Sequence, residues 1–462
     1  MYQLQYFQFP KDFIFGTADA DLQVIGEEHT LKNENSLPTM WNHFAQSSPE
    51  VYKNQTPMSG IDRYHLWKED IALMKELGLR HYRTSISMAR IMDKNRKPNM
   101  KAIDWYKTFF EELRKNEIAI YATIYHWELP QFLSEKGGWK NRDTAQYVAD
   151  HSLIAHKYLG DYIEEYFILN EPVQSTFYSY HIGEQAPGER DLKGALAAVH
   201  HTLLAQGLTF RALKSADKNV KLSTVFNPSV TYAASSSQDD IKSAQYAFGY
   251  HTGMFTDPTY LGKYPDYMLE LFEGKMPQIQ SGDMETIKID HGLHSFGVNF
   301  YRGKITRYNP ISDVRFEEVR YPQGVKNGMG RPVYIPPTYP EGLYDILCEL
   351  YYRYHEHGMK QIYITENGAS WPDTLNEKGE VDDEFRIFYL REHLKQVEKA
   401  ILKGVPVKGF FQWTFMDNFN WSAGYRPESV YGLVHVDFET MKRTPKKSFY
   451  WYKDLLESHR LP

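Results

Sequence analysis

Eight short runs rich in β-branched and aromatic residues recur along the chain, and the stretches between them carry helical spacing. The runs lie at residues 13–17, 81–87, 118–126, 166–171, 221–227, 296–301, 361–366 and 407–417. Between the first two, residues 62–78 place Tyr64, Trp67, Ile71, Met74 and Leu77 on one helical face, and Gly78 supplies a stop. Similar helices read at 102–116, 144–160, 340–358 and 383–404. Eight alternations of strand and helix predict an α/β chain closed into a (β/α)8 (TIM) barrel, with catalytic groups at the carboxyl ends of the strands. No Gly/Ser-rich or Pro-rich linker and no fixed-period repeat interrupts the pattern, so residues 1–462 read as a single catalytic domain. The segment AASSSQDD at 233–240 reads as a loop.

Composition narrows the function. The 59 acidic and 53 basic residues alternate, with no Lys/Arg block able to follow a phosphate backbone, so nucleic acid is excluded as a partner. No stretch approaches the roughly 20 apolar residues of a membrane span. The opening segment MYQLQYFQFPKDF has neither a basic nor an apolar leader pattern, and a cytoplasmic location is the expectation. The single cysteine, Cys348, falls in the helical run LYDILCELYYRY and reads as a small packed hydrophobe. Nine Trp and 35 Tyr exceed what a core needs, and flat rings with a polar tip suit the stacking of sugars. A small carbohydrate is therefore the expected partner; the sequence leaves the oligomeric state open.

The placement rule points to the strand ends, which carry Arg83, His126 with Trp127, Asn170 with Glu171, Asn227, Asn299 with Tyr301, Glu366 with Asn367, and Trp413. Any one of these has a structural reading as a solvated acid or a core histidine. Together, on one edge of several strands, they read as a site. Two carboxylates suit glycoside hydrolysis, in which an acid protonates the leaving oxygen. In retaining enzymes a second carboxylate, about 5–5.5 Å away, attacks the anomeric carbon. Pro172 biases Glu171 away from the right-handed helical region, which predicts that no helix starts at once behind it.

The segments FILNEP (167–172) and YITENG (363–368) resemble the acid/base and nucleophile motifs of glycoside hydrolase family 1, a family of retaining β-glucosidases, β-galactosidases and 6-phospho-β-glycosidases. The resemblance continues through FPKDFIFGTA, HYRTSIS, TIYHWELP and GLVHVDFETMKRTPKKSFYWYKDLL, and so spans nearly the whole chain. It implies Glu171 as acid/base and Glu366 as nucleophile, with Arg83, Asn299 and Tyr301 around the nucleophile. It further implies a sugar site made from Gln23, His126, Asn170, Trp413 and Trp421, to which the strand-end Trp127 is added as a candidate, and a cis peptide between Trp413 and Thr414. On charge alone, Arg83 and Tyr301 should hold Glu366 ionised, and the charge of Glu366 should raise the pKa of Glu171.

Several positions depart from the family pattern. In DNFNW (417–421) Asn420 replaces the usual Glu that grips sugar O4 and O6, and the longer loop GYRPESVYG brings Arg426, Ser429 and Tyr431 toward that corner. Met88 and Ile25 replace a usual aromatic and a usual Glu. The aglycone-side Trp is missing from GRPVYIPPTYPEG, where Tyr334 or Tyr339 offers a platform and reads equally well as a loop tyrosine. The lone Gly328-Met329-Gly330 follows no strand, His355-Glu356-His357 lacks zinc-site spacing, and His200-His201 reads as helix packing. No metal and no cofactor is inferred.

Three functions follow. The first is retaining hydrolysis of a terminal non-reducing β-D-glycosyl residue. The second is hydrolysis of glycosides anionic at C6, 6-phospho or uronic, motivated by Asn420 and Arg426. The third is an inactive sugar- or partner-binding protein on a glycosidase scaffold, against which the retention of Glu171, Glu366, Arg83 and Tyr301 speaks.

Overall fold

The computed structural model describes residues 7–319 and 339–461. Eight parallel strands close into a barrel: β1 (Ile14–Ala18), β2 (His81–Ser85), β3 (Ala119–Tyr125), β4 (Ile163–Asn170), β5 (Leu222–Phe226), β6 (Phe296–Asn299), β7 (Ile362–Asn367) and β8 (Val407–Trp413). Each strand pairs with its neighbours in sequence, and β8 returns to β1 with Ala18 opposite Trp413. All eight expected runs are present. Their carboxyl ends differ by one to four residues: six strands stop short of the expected end, and β1 and β7 run one residue beyond it. The run at 407–417 stops at Trp413, where a cis peptide joins Trp413 to Thr414.

The outer helices fall where the apolar spacing places them: Arg63–Leu77, Met100–Lys115, Asp143–Leu159, Glu341–Tyr354 and Glu384–Leu402. Helix Arg63–Leu77 buries Ile71, Met74 and Leu77, and Gly78 ends it at φ 80°, a left-handed value that a Cβ would penalise. The 25-residue helix Leu192–Ala216 carries His200 and His201 inward; His200 is buried and hydrogen-bonded to Asp283 and Tyr264. Part of the 233–240 segment is ordered structure, since Ser237 accepts from Asp240 N and caps the helix Gln238–Phe248.

Inside the barrel, Tyr121, Phe167, Tyr363 and Phe411 form an aromatic floor, with Tyr121 and Phe411 ring centres 5.1 Å apart. The Arg83 guanidinium lies over the Phe167 ring at 5.5 Å, one layer nearer the mouth. Register shifts fall between Phe167 and Asn170 on β4 and between Ile364 and Glu366 on β7. Such irregularities turn a strand end and re-aim its side chains, and both precede a glutamate of the expected pair. Among the described residues, two small sheets lie outside the barrel. One joins Thr231–Ala233, Lys304–Tyr308 and Phe316–Glu318, and the other pairs Val434–Val436 with Arg443–Pro445.

Candidate active site

Strand β4 ends at Asn170, and Glu171 takes φ 47°, a left-handed conformation that costs a non-glycine residue about 1–3 kcal/mol. Its amide remains tied to the sheet by donating to Val225 O at 2.8 Å. The helical turn begins at Pro172 itself and continues as a π-helix through Gln174–Ile182. The expectation that Pro172 delays a helix is thus corrected: proline fits a first helical position, and the reversal is taken up by Glu171.

Glu366 is the penultimate residue of β7 and lies beside the buried Arg83. Arg83 Nη1 donates to Glu366 Oε1 at 2.7 Å and to Thr365 O at 3.2 Å, and Tyr301 Oη donates to Glu366 Oε2 at 2.8 Å. Glu171 receives one hydrogen bond, from Asn299 Nδ2 at 2.7 Å. Burial pushes both carboxyl groups above the usual range. For Glu171 the charge of Glu366 adds to it and the pKa rises well above normal, with only Asn299 and Arg83 opposing. For Glu366, Arg83 and Tyr301 work against burial. Desolvation, given no weight in the sequence reading, is the largest cause for both groups. The difference between them still comes from Arg83 and Tyr301, which make Glu366 the more acidic of the two.

Asn170 holds the pair in register. Its Oδ1 accepts from Arg83 Nη2 at 2.6 Å and from Asn299 Nδ2 at 3.0 Å, which fixes the amide so that Nδ2 faces His126 Nε2 at 3.1 Å. That nitrogen of His126 must then accept, and the ring carries its proton on Nδ1. Burial, with Arg83 nearby, keeps the ring neutral by lowering its pKa well below normal. Nδ1 is buried without a protein partner among the described residues. Gln23 is complementary: its Nε2 donates to Phe419 O at 2.6 Å, leaving Oε1 buried without a partner. One free donor and one free acceptor in one pocket match a sugar hydroxyl, which both gives and takes a hydrogen bond.

These groups line a cavity of about 370 Å³, within the range of small-ligand sites. Gln23, His126, Trp127, Glu171, Asn299, Tyr301, Glu366, Trp413, Asn420, Trp421 and Tyr431 all reach it. Aromatic rings form one wall: His126 stacks on Trp413 at 5.7 Å, and Trp127 lies 5.0 Å from Trp421. Arg83 and Asn170 lie beneath the lining, fully buried, and act through the residues they hold. Asn420 donates from Nδ2 to Ser429 O at 3.0 Å, and Tyr431 packs edge-on to Tyr301.

The structure separates Arg426 from the site. It is exposed, with its guanidinium over the Tyr52 ring at 4.3 Å, and it does not line the cavity. Tyr339 packs against Tyr232 away from the lining, and Tyr334 lies outside the described residues. Residues absent from the sequence reading also line the cavity, among them Gln174, Tyr178, His251, Arg302 and Lys304. Arg302 and Lys304 follow Tyr301 closely, and that adjacency is the only sequence signal for them. Among the described residues, one group could hold a metal ion, His29, Asp62 and His65; none of the three lines the cavity.

A barrel mouth holding two buried carboxyls of unequal acidity, under an aromatic wall with matched hydroxyl partners, has the constitution of a glycosidase site. The glycosyl hydrolase family 1 model matches residues 5–461, and the chain belongs to that family. It is 35% identical over 458 residues to a 1,4-β-D-glucan glucohydrolase of Thermotoga neapolitana, covering 98% of this chain and 99% of the relative. It is 34% identical to β-glucosidase A of Acetivibrio thermocellus, covering 98% of each. Among solved structures, the β-glucosidase of Thermotoga maritima in complex with deoxynojirimycin superposes with a TM-score of 0.90 at 33% identity, over 98% of this chain and 100% of that one.

Proposed function

We propose that the chain is a retaining β-glucosidase that releases the terminal non-reducing sugar of a β-D-glucoside, with residues 1–462 serving as one catalytic domain. Glu366 attacks the anomeric carbon while Glu171 protonates the departing glycosidic oxygen, and a glycosyl ester with Glu366 forms. The charge of Glu366 is then gone, so one of the forces holding the Glu171 proton is removed. Glu171 next takes a proton from water, which attacks the anomeric carbon as the ester bond breaks.

The observation that carries this reading is the unequal support of the two carboxyls: Arg83 and Tyr301 on Glu366, and Asn299 on Glu171. An ionised nucleophile and a protonated acid are what the first step requires. The relatives named for β-glucosidase activity support the glucoside as glycone, and Gln23 Oε1 with His126 Nδ1 supplies hydroxyl contacts. The C6-anionic alternative loses the cation that motivated it, since Arg426 lies over Tyr52, and keeps only Asn420. A panel of nitrophenyl β-glycosides, including glucoside, galactoside, fucoside, glucuronide and 6-phosphates, tests the reading. Turnover of the glucoside above the anionic members is expected, and silence across the panel would favour the binding-protein alternative.

A further inference from the structure

Besides the sugar-facing residues, the cavity lining carries two cations, Arg302 and Lys304. Glu171 gives its proton to the leaving group, so the residues that follow it on the helix Gln174–Ile182 flank that group. Gln174 and Tyr178 of this helix line the cavity together with Arg302 and Lys304. Lys304 Nζ is 3.4 Å from Tyr178 Oη, joining the two segments. Arg302 and Lys304 face one carboxylate among the described residues: Glu318, in contact with Lys304 and 3.9 Å from Arg302 Nη2. Among the described residues, these two cations outnumber the one carboxylate in contact with them.

His251 adds a second observation. It is buried in the same lining, and its pKa is held well below normal by burial, then by Lys304 and Arg302. The neutral ring leaves the charge count unchanged. Its Nε2 makes no hydrogen bond among the described residues and stands 3.9 Å from Glu318 Oε1, so a polar atom remains for a ligand group there. Tyr431 and Arg302 both line this cavity. Lys304 is mostly shielded, whereas the Arg302 side chain is 40% exposed and able to turn toward an incoming group.

We infer that the leaving-group side accepts an aglycone bearing a carboxylate, paired with Arg302, with Lys304 and Glu318 setting the local charge. Guanidinium and carboxylate match in planar, two-bonded geometry, which suits Arg302 to this role better than a lysine. The inference rests on the β-glucosidase reading and names its aglycone class.

Two aryl β-glucosides test it, one with a carboxylate and the other with a carboxamide at the same ring position, chosen for equal leaving-group acidity. Wild type should favour the carboxylate about tenfold in kcat/KM at low salt, and the preference should shrink at high ionic strength. Arg302→Gln should bring the ratio to about one. Glu318→Gln, which removes the competing anion, should raise it, so the test does not depend on one variant folding. Arg426→Ala should leave the wild-type ratio in place. A wild-type ratio of one, or a ratio indifferent to Arg302→Gln and Glu318→Gln, overturns the inference. Inertness toward both substrates overturns the glucosidase reading itself.

Discussion

Arg83 Nη1 donates to Glu366 Oε1 at 2.7 Å in a setting where both side chains are buried, so the charge of Glu366 is balanced at the centre of the barrel and not by solvent. Breaking such a pair from one side typically costs 3–5 kcal/mol, because the remaining charge keeps its burial and loses its partner. The same guanidinium bonds Asn170, and through Asn170 it sets Asn299 and His126. One arginine thereby orders Glu366, the Asn299 that donates to Glu171, and His126.

Tyr301→Phe removes a hydrogen bond that favours ionised Glu366. The pKa of Glu366 then rises. Activity needs this group ionised and is lost as pH falls through its pKa, so the acid limb of the kcat/KM profile should move to higher pH. A charge-assisted bond of about 1.5–3 kcal/mol corresponds to a fall of roughly 10- to 100-fold in kcat/KM. An unchanged acid limb would separate Tyr301 from the nucleophile.

Asn420 offers the sugar an amide where the family pattern has a carboxylate, and its Nδ2 is already bonded to Ser429 O. Discrimination among glucoside, galactoside and fucoside should therefore be shallow. Asn420→Glu should restore a preference for substrates with a free O6 by about 1–3 kcal/mol, read as a ratio of kcat/KM values. Equal ratios before and after the change would place the O4/O6 contact elsewhere.

Glu128, next to Trp127, is fully buried, and burial together with the charge of Asp21 pushes its carboxyl up to about 8. The folded protein therefore holds this proton more tightly than the unfolded chain. The stabilising effect is complete below the ordinary carboxyl range near 4.5 and is lost as pH rises toward 8. Glu128→Gln keeps a neutral group at every pH, so its denaturant midpoint should gain on wild type between pH 5 and pH 8. A pH-independent difference would contradict the assignment.

The strands were legible because Val, Ile and aromatic residues cluster where a buried parallel sheet requires them, and the helices because apolar spacing marks one face. Strand ends were not, since local preference cannot register that Glu171 turns left-handed while its amide remains on β5. The expected pair, Glu171 and Glu366, stands out in FILNEP and YITENG, yet the dominance of burial over charge in their acidity depends on packing that only the closed barrel creates. Asn170 read as a sugar contact and proves to lie beneath the lining, because its amide is taken up by Arg83, Asn299 and His126. Arg426 could have pointed either way along its loop, and the ring of Tyr52, distant in sequence, decides it. Arg302 and Lys304 escaped notice as single charges; the sheet that sets Lys304 beside Glu318 consists of strands of three to five residues with little pattern.

The division of labour between the two glutamates is tested most directly by the configuration of glycosyl azide formed by two variants on an activated aryl β-glucoside. In Glu366→Gly, azide can enter the space beside Arg83 and attack once, so the product should be the α-glycosyl azide. In Glu171→Ala, Glu366 still forms the ester and azide replaces water in the second step, so the product should keep the β configuration. Opposite configurations from the two variants are predicted; the same configuration from both, or the reverse assignment, would contradict the roles given to Glu171 and Glu366.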